Sequence, residues 1–262
     1  MKANPRHLIL NLLLGTDGGS MTARAAVAAC ALFGIRENSV RVALARLAAA
    51  RLVESAGRGA YRLGPRAVPL AEHVATWRGA QQRVRRWDGG WIAVHAGNLG
   101  RSDRAALRAR QRALELLGMR ELDRGLYLRP DNLDGGVAAV RERLLELGLQ
   151  PEAATFVAHD LDPGREMRAR TLWDGVALTK AYRDTRRRLD QWLAGAGSLE
   201  PRVAAREAFE LGNDAIRQLV FDPLLPAPLV DEHARAAFVT SVVRFDAAGK
   251  VVWKRFQQEH PK

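Results

Sequence analysis

Asn38, Arg41 and Arg46 fall within nine residues of one another and offer one amide and two guanidinium groups. These are the side chains that make paired hydrogen bonds to purine edges, the amide to adenine and the guanidinium to guanine. Arg58, held in Gly57-Arg58-Gly59, adds a cation at a flexible tip, suited to phosphate oxygens or a narrow minor groove. A second constellation, His159, Asp160 and Asp162, puts three metal-ligand types within four residues at the end of a strand pattern. Alternation along a strand turns His159 and Asp160 to opposite faces, so the stretch is read as a turn before Pro163 rather than as a cation site. Cys30, the single cysteine, has no base beside it in sequence and is read as a small core residue. There is no Walker loop, no GxGxxG, no GxSxG elbow and no HExxH or CxxC spacing. Neither a cofactor, a metal nor a catalytic residue is therefore expected, and the chain reads as a non-enzyme.

The elements that must position the first group are legible around it. From 38 to 51 the residues Val40, Ala43, Leu44 and Leu47 recur at i, i+3, i+4, i+7 and share one buried stripe. At about 100° per residue, Asn38, Val42 and Ala45 point away from that stripe, with Arg41 and Arg46 on its flanks. Thr22 can cap a preceding helix, and Gly34 supplies the backbone freedom to turn from one helix into the next. Arg36 stands where a capping Ser, Thr or Asn is usual, so the second helix is expected to begin at Asn38 or Ser39. Beyond it, Leu52, Val53, Ala60, Tyr61 and Leu63 read as two short strands around the Arg58 tip.

This is the layout of a winged helix-turn-helix. Its DNA-facing residues would be Arg36, Asn38, Ser39, Arg41, Val42, Ala45, Arg46, Arg58 and Arg62, and its partner double-stranded DNA. An amphipathic helix with solvated arginines fits the same stripe, and charge bears on the choice. Nine cationic and three acidic side chains leave +6 on the first 64 residues, half of the chain's +12. Such an excess favours a polyanion and salt-sensitive binding, although an arginine-rich composition raises the pI without any ligand.

With 262 residues, 47% of them hydrophobic, the chain can bury a sizeable core in two or three domains, which excludes the disordered and low-complexity classes. Lys2 and Arg6 precede an apolar run at 8–14, but no small-residue cleavage pattern follows. The next apolar run, 25–35, is too short to span a bilayer. With one cysteine and no membrane segment, a reducing cytoplasm is the expected location. The expected boundaries are a winged helix at 1–66, a linker helix at 67–88, a central α/β domain at 89–162 and a helical domain at 163–262. Within the central part, strands at 91–96, 125–129 and 154–159 alternate with helices at 103–117 and 134–147. A long helix is expected at 166–193 and another at 203–221. Pro223, Pro226 and Pro228 make a rigid turn, and 239–256 is read as a helix in preference to a hairpin. The fold class is α+β.

Five stretches occur in the order and spacing of a known family: GIRENSVRVALARL (34–47), RRWDGGW (85–91), LRPDNLDG (128–135), TLWD with a following AY (171–182), and DPLLPAPLV (222–230). The chain resembles the PaaX-type repressors, regulators of phenylacetate degradation. The resemblance implies an N-terminal winged helix, a central ferredoxin-like domain and a helical C-terminal domain. It also implies a homodimer that represses an aromatic-acid catabolic operon and releases DNA on binding an acyl- or aryl-coenzyme A. After DPLLP the family pattern runs on into Trp-Pro-Gly, where this chain has Asp231-Glu232-His233. For the effector, Trp87, Trp91 and Trp173 are candidate walls of an aryl pocket. Arg129, Asp131 and Asn132 form a polar turn, and Arg183 and Arg187 are cations for coenzyme phosphates. Each has a plainer alternative as core filler, interdomain tie or solvated helix face. A metal-dependent nuclease acting through the central domain and a non-catalytic scaffold are the competing functional classes.

Overall fold

A computed structural model describes residues 4–16, 18–100 and 102–259 of the chain as a mixed α+β protein. Helix α1, Pro5–Leu14, starts with proline at its first position and with Asn4 as cap, whose Oδ1 accepts from the Arg6 amide at 2.9 Å. Strand β1, Met21–Thr22, leads into α2, Ala23–Ala31, capped by the Thr22 hydroxyl as its spacing predicts. Gly34, at φ +70°, makes the turn into α3, Glu37–Ala49. That helix begins one or two residues earlier than expected. Arg36 takes the cap position without a side-chain bond, and Glu37 in the first turn favours the positive helix end instead.

Strands β2, Val53–Ser55, and β3, Ala60–Leu63, form the expected hairpin, with Val53 opposite Leu63. The two-residue β1, which has too few residues to show alternation, pairs with β3, so the antiparallel sheet runs β1-β3-β2. Leu8, Ile9 and Leu13 of α1 meet Val40, Leu44 and Leu47 of α3 in one core that also holds Cys30. Burial pushes the Cys30 thiol up to about 12, so it packs as an inert apolar group.

The chain divides into two compact units, 1–76 with 188–216 and 242–262, and 77–187 with 217–241. In the first, Phe33 sits edge-on to Phe209 at 5.3 Å, Phe209 meets Trp253 at 6.1 Å, and Asn11 bonds Asn213. The N-terminal core is thereby joined to parts of helices α9, Pro201–Val220, and α10, Glu232–Glu259. The segment 239–256 is helical throughout. Gly249 is buried there, where an added Cβ would lie 3.9 Å from Ala208, so the missing side chain lets two helices approach.

In the second unit β4, Trp91–His95, is followed by α5, Arg104–Leu116, β5, Arg120–Asp123, β6, Leu126–Pro130, α6, Gly136–Glu146, and β7, Ala154–Ala158. The four strands form an antiparallel sheet in the order β5-β6-β4-β7. Trp91, Ile92, Ala93 and Val94 are all buried, so β4 is covered on both faces. Strand β5 is absent from the sequence-based reading because its residues are mostly polar. Only Leu122 of its four residues is buried, and a bulge interrupts its pairing.

Two expected helices are cut shorter. The helix expected at 166–193 breaks into α7, Pro163–Arg170, and α8, Gly175–Gly195. Between them Trp173 turns inward to donate to the Gly118 carbonyl, and Asp174 caps the new helix by accepting from the Ala177 amide. The expected linker helix stops at α4, Val68–Ala75, and 76–83 tightens to a 3₁₀ turn. No described helix is long and apolar enough to cross a membrane.

Candidate nucleic-acid interface

Helix α3 sorts its residues as its periodicity requires. Val40, Ala43, Leu44 and Leu47 are buried, whereas Asn38, Ser39, Arg41, Val42, Ala45 and Arg46 are exposed. Val42 is 43% exposed, an apolar side chain left in water on the same outward ridge as the Asn38 amide. The arginines around this ridge fall into two groups. Arg41 pairs with Glu37 at 2.6 Å and Arg62 with Glu54 at 2.7 Å, both at the surface. Arg36, Arg46 and Arg58 have no side-chain partner among the described residues. Arg58 stands at the hairpin tip between Gly57, at φ +117°, and Gly59, at φ +66°. Beside the ridge, Asn38, Ser39, Val42 and Arg46 line a cleft of about 680 Å³ together with Asn4 and Arg6 from the start of α1. Sequence reasoning missed Arg6, because nothing in the spacing shows that α1 starts next to α3.

The candidate effector residues are drawn together in part. Trp87 meets Trp91 edge-on at 5.1 Å, and Trp91 stacks on Trp173 at 6.2 Å. Trp91 and Trp173 are buried, and Trp91 donates to Glu166 Oε2. Trp87 is half-buried, and the Arg170 guanidinium lies over its ring at 5.1 Å.

Arg129 is sealed inside. Its guanidinium donates to the carbonyls of Leu117 at 2.6 Å, Pro130 at 3.2 Å and Pro223 at 3.4 Å, and to Asn132 Oδ1 at 3.1 Å. Desolvation pulls its pKa down to about 10, against the opposing field of Asp131. Asn132 in turn donates to the Leu224 carbonyl. Asp131 pairs with Arg85, Arg183 with Asp231 at 2.7 Å, and Arg187 with Asp184 at 3.2 Å. At the departure from the Trp-Pro-Gly pattern, Asp231 caps α10 by accepting from the Ala234 amide.

A third polar group has no counterpart in the sequence-based reading. Tyr182, Asp222 and Arg235 are all buried, and Tyr182 Oη, Asp222 Oδ2 and Arg235 Nε have no hydrogen-bond partner among the described residues. Burial raises the Asp222 carboxyl, with Arg235 opposing it. The Tyr182 phenol is pushed up by burial first and by Asp222 second. Asp160 takes φ +54°, and Asp162 caps α7 while pairing with Arg165. Among the described residues no group of three His, Cys, Asp or Glu is placed to hold a metal.

A model of PaaX-like proteins matches residues 4–67, and one of the PaaX-like C-terminal domain matches 173–255. The chain belongs to the PaaX-like family. The N-terminal match covers α1 to β3 and the whole cleft, and the C-terminal match contains Trp173, Tyr182, Asp222 and Arg235. PaaX-like proteins are transcriptional regulators. Among solved structures it is similar to the uncharacterised protein Rv0674 from Mycobacterium tuberculosis, with 27% identity over 94% of this chain and 99% of that one and a TM-score of 0.54. No curated protein matches.

Proposed function

We propose that this PaaX-like protein is a DNA-binding repressor that reads its operator through α3 and grips the backbone through the β2–β3 hairpin. In this reading the N-terminal segment is a winged helix-turn-helix, and the βαββαβ run from β4 to β7 is a ferredoxin-like domain. The observation that supports it is the outward ridge of Asn38, Val42 and Ala45, flanked by arginines, in the segment matched to the family. Asn38 offers the base-edge amide, Val42 an apolar contact for a thymine methyl, and Arg36, Arg46 and Arg58 free charge for bases or phosphates. Ser39, Arg41 and Arg62 complete the surface, the last two by leaving weak exposed ion pairs.

The protein acts as a homodimer that sets two such helices in successive major grooves of a palindrome at an aromatic-acid operon. An aryl-coenzyme A thioester releases it by favouring a spacing that no longer fits, and its differential affinity limits how far that equilibrium moves. The half-buried Trp87 ring under Arg170 supports an aryl-binding edge, and the exposed Arg183 and Arg187, each in a weak surface ion pair, are the cations offered to the coenzyme phosphates. Arg129 and Asn132 tie backbone segments together, and the Asp131 amide donates to the same Gly90 carbonyl as the Trp87 indole N–H, so these three act on that edge through the backbone. The test is gel-shift titration of the protein on DNA from upstream of its own gene, with and without phenylacetyl-coenzyme A. Salt-sensitive binding that the thioester relieves is expected. Absence of any DNA binding at low salt refutes the proposal.

A further inference from the structure

We propose that the cleft between the first turn of α1 and the outer face of α3 seats a backbone phosphate of bound DNA, clamped between Arg6 and Arg46. This rests on the DNA-binding reading above and names a contact residue outside the helix-turn-helix. Arg6 lines the cleft from α1 and Ser39 and Arg46 from α3, and no carboxylate is among the lining residues described. Arg6 is exposed, and neither its guanidinium nor that of Arg46 has a partner among the described residues, whereas Arg41 and Arg62 nearby are neutralised by glutamates. Two cations that no carboxylate offsets line one cleft, and an anion seated between them gives both a partner.

The helix start itself contributes little to this seat. Pro5 has no N–H, and the Arg6 amide is already held by Asn4 Oδ1, so the guanidinium groups and the Ser39 hydroxyl supply the contacts. Asn38 and Val42 line the same cleft and also belong to the ridge. A phosphate seated there fixes the depth and register at which the ridge meets base edges.

The test is fluorescence anisotropy of the full chain and its Arg6→Ala and Arg6→Lys variants across a salt series. Two labelled duplexes are used, one from upstream of the protein's own gene and a shuffled one of equal composition. Arg6→Ala is expected to weaken both by a similar factor, about 3- to 10-fold, and to make the slope of log K against log salt shallower by about 1, while Arg6→Lys keeps the parental slope. An Arg6→Ala protein with parental affinity and slope, its thermal unfolding unchanged, overturns the proposal. So does a loss confined to one duplex, which would make Arg6 a base reader. Failure of the parent protein to bind either duplex overturns the DNA-binding reading itself.

Discussion

The α3 surface and the Arg129 cluster are both built on guanidinium groups, and they use them in opposite ways. Arg36 at the cap of α3 and Arg46 on the helix face water with no side-chain partner among the described residues. Arg129 faces no water and donates to three carbonyls and an amide oxygen, among them the Pro223 carbonyl ninety-four positions away in sequence. A charge left free at a surface adds little to stability and remains available to a partner. A charge taken out of water must satisfy its donors inside, and its role is to hold backbone segments together. The same residue type is therefore left available to a partner in one region and made a structural tie in the other, and solvation is the difference.

The sharpest way to break that contrast is Arg129→Ala. It would leave several buried oxygens without donors, and chemical denaturation is expected to show a loss of about 3 to 5 kcal/mol. A loss below 1 kcal/mol would mean that the cluster is no structural tie. Next in size, Asn38→Ala and Arg46→Ala should each cost about 1 to 3 kcal/mol of DNA affinity with the melting temperature unchanged. Measured on matched and shuffled duplexes, the Asn38 loss should depend on sequence and the Arg46 loss should not. Parental affinity in both would remove α3 from the interface.

Asp222 sharpens the interior side of the comparison. Its folded pKa is raised above the unfolded value of about 4. The contribution of this group is thus fully present below that pH and is lost as pH rises through the folded pKa. Asp222→Asn keeps an acceptor for the Leu224 amide and cannot ionise. Its melting temperature should fall less between pH 4 and pH 7 than that of the parent, and an identical profile would show that the carboxyl does not titrate in this window. The smallest effect is expected at the surface. Glu37→Gln frees Arg41 and should change stability by no more than about 0.5 kcal/mol while strengthening binding to a shuffled duplex, because an exposed ion pair contributes little and a released cation is a further phosphate contact.

The two regions also differ in how far they could be read from the chain. The α3 surface was legible because a helix of regular period sorts its own residues: once Val40, Leu44 and Leu47 are assigned to a core, the direction of Asn38, Val42 and Ala45 follows from local geometry. Thr22 and Gly34 were legible for the same reason, since a cap and a turn are each specified within four residues. Strand β5 was not, being too short and polar to show alternation. Nor does the helical pattern reveal the break at 171–174, where the inward-turned Trp173 outweighs a continuous periodicity.

The sequence by itself determined the local terms: which face of α3 is apolar, where helices are capped, and how much positive charge the first quarter carries. Only the tertiary structure decided which distant groups meet. It set Arg6 across a cleft from Arg46, stacked Trp91 on Trp173, and buried Arg129 against Pro223 and Asp222 near Tyr182 and Arg235. The physical reason is that desolvation and hydrogen bonding depend on neighbours in space. An arginine written in the chain is the same residue until folding settles whether water or a carbonyl surrounds it.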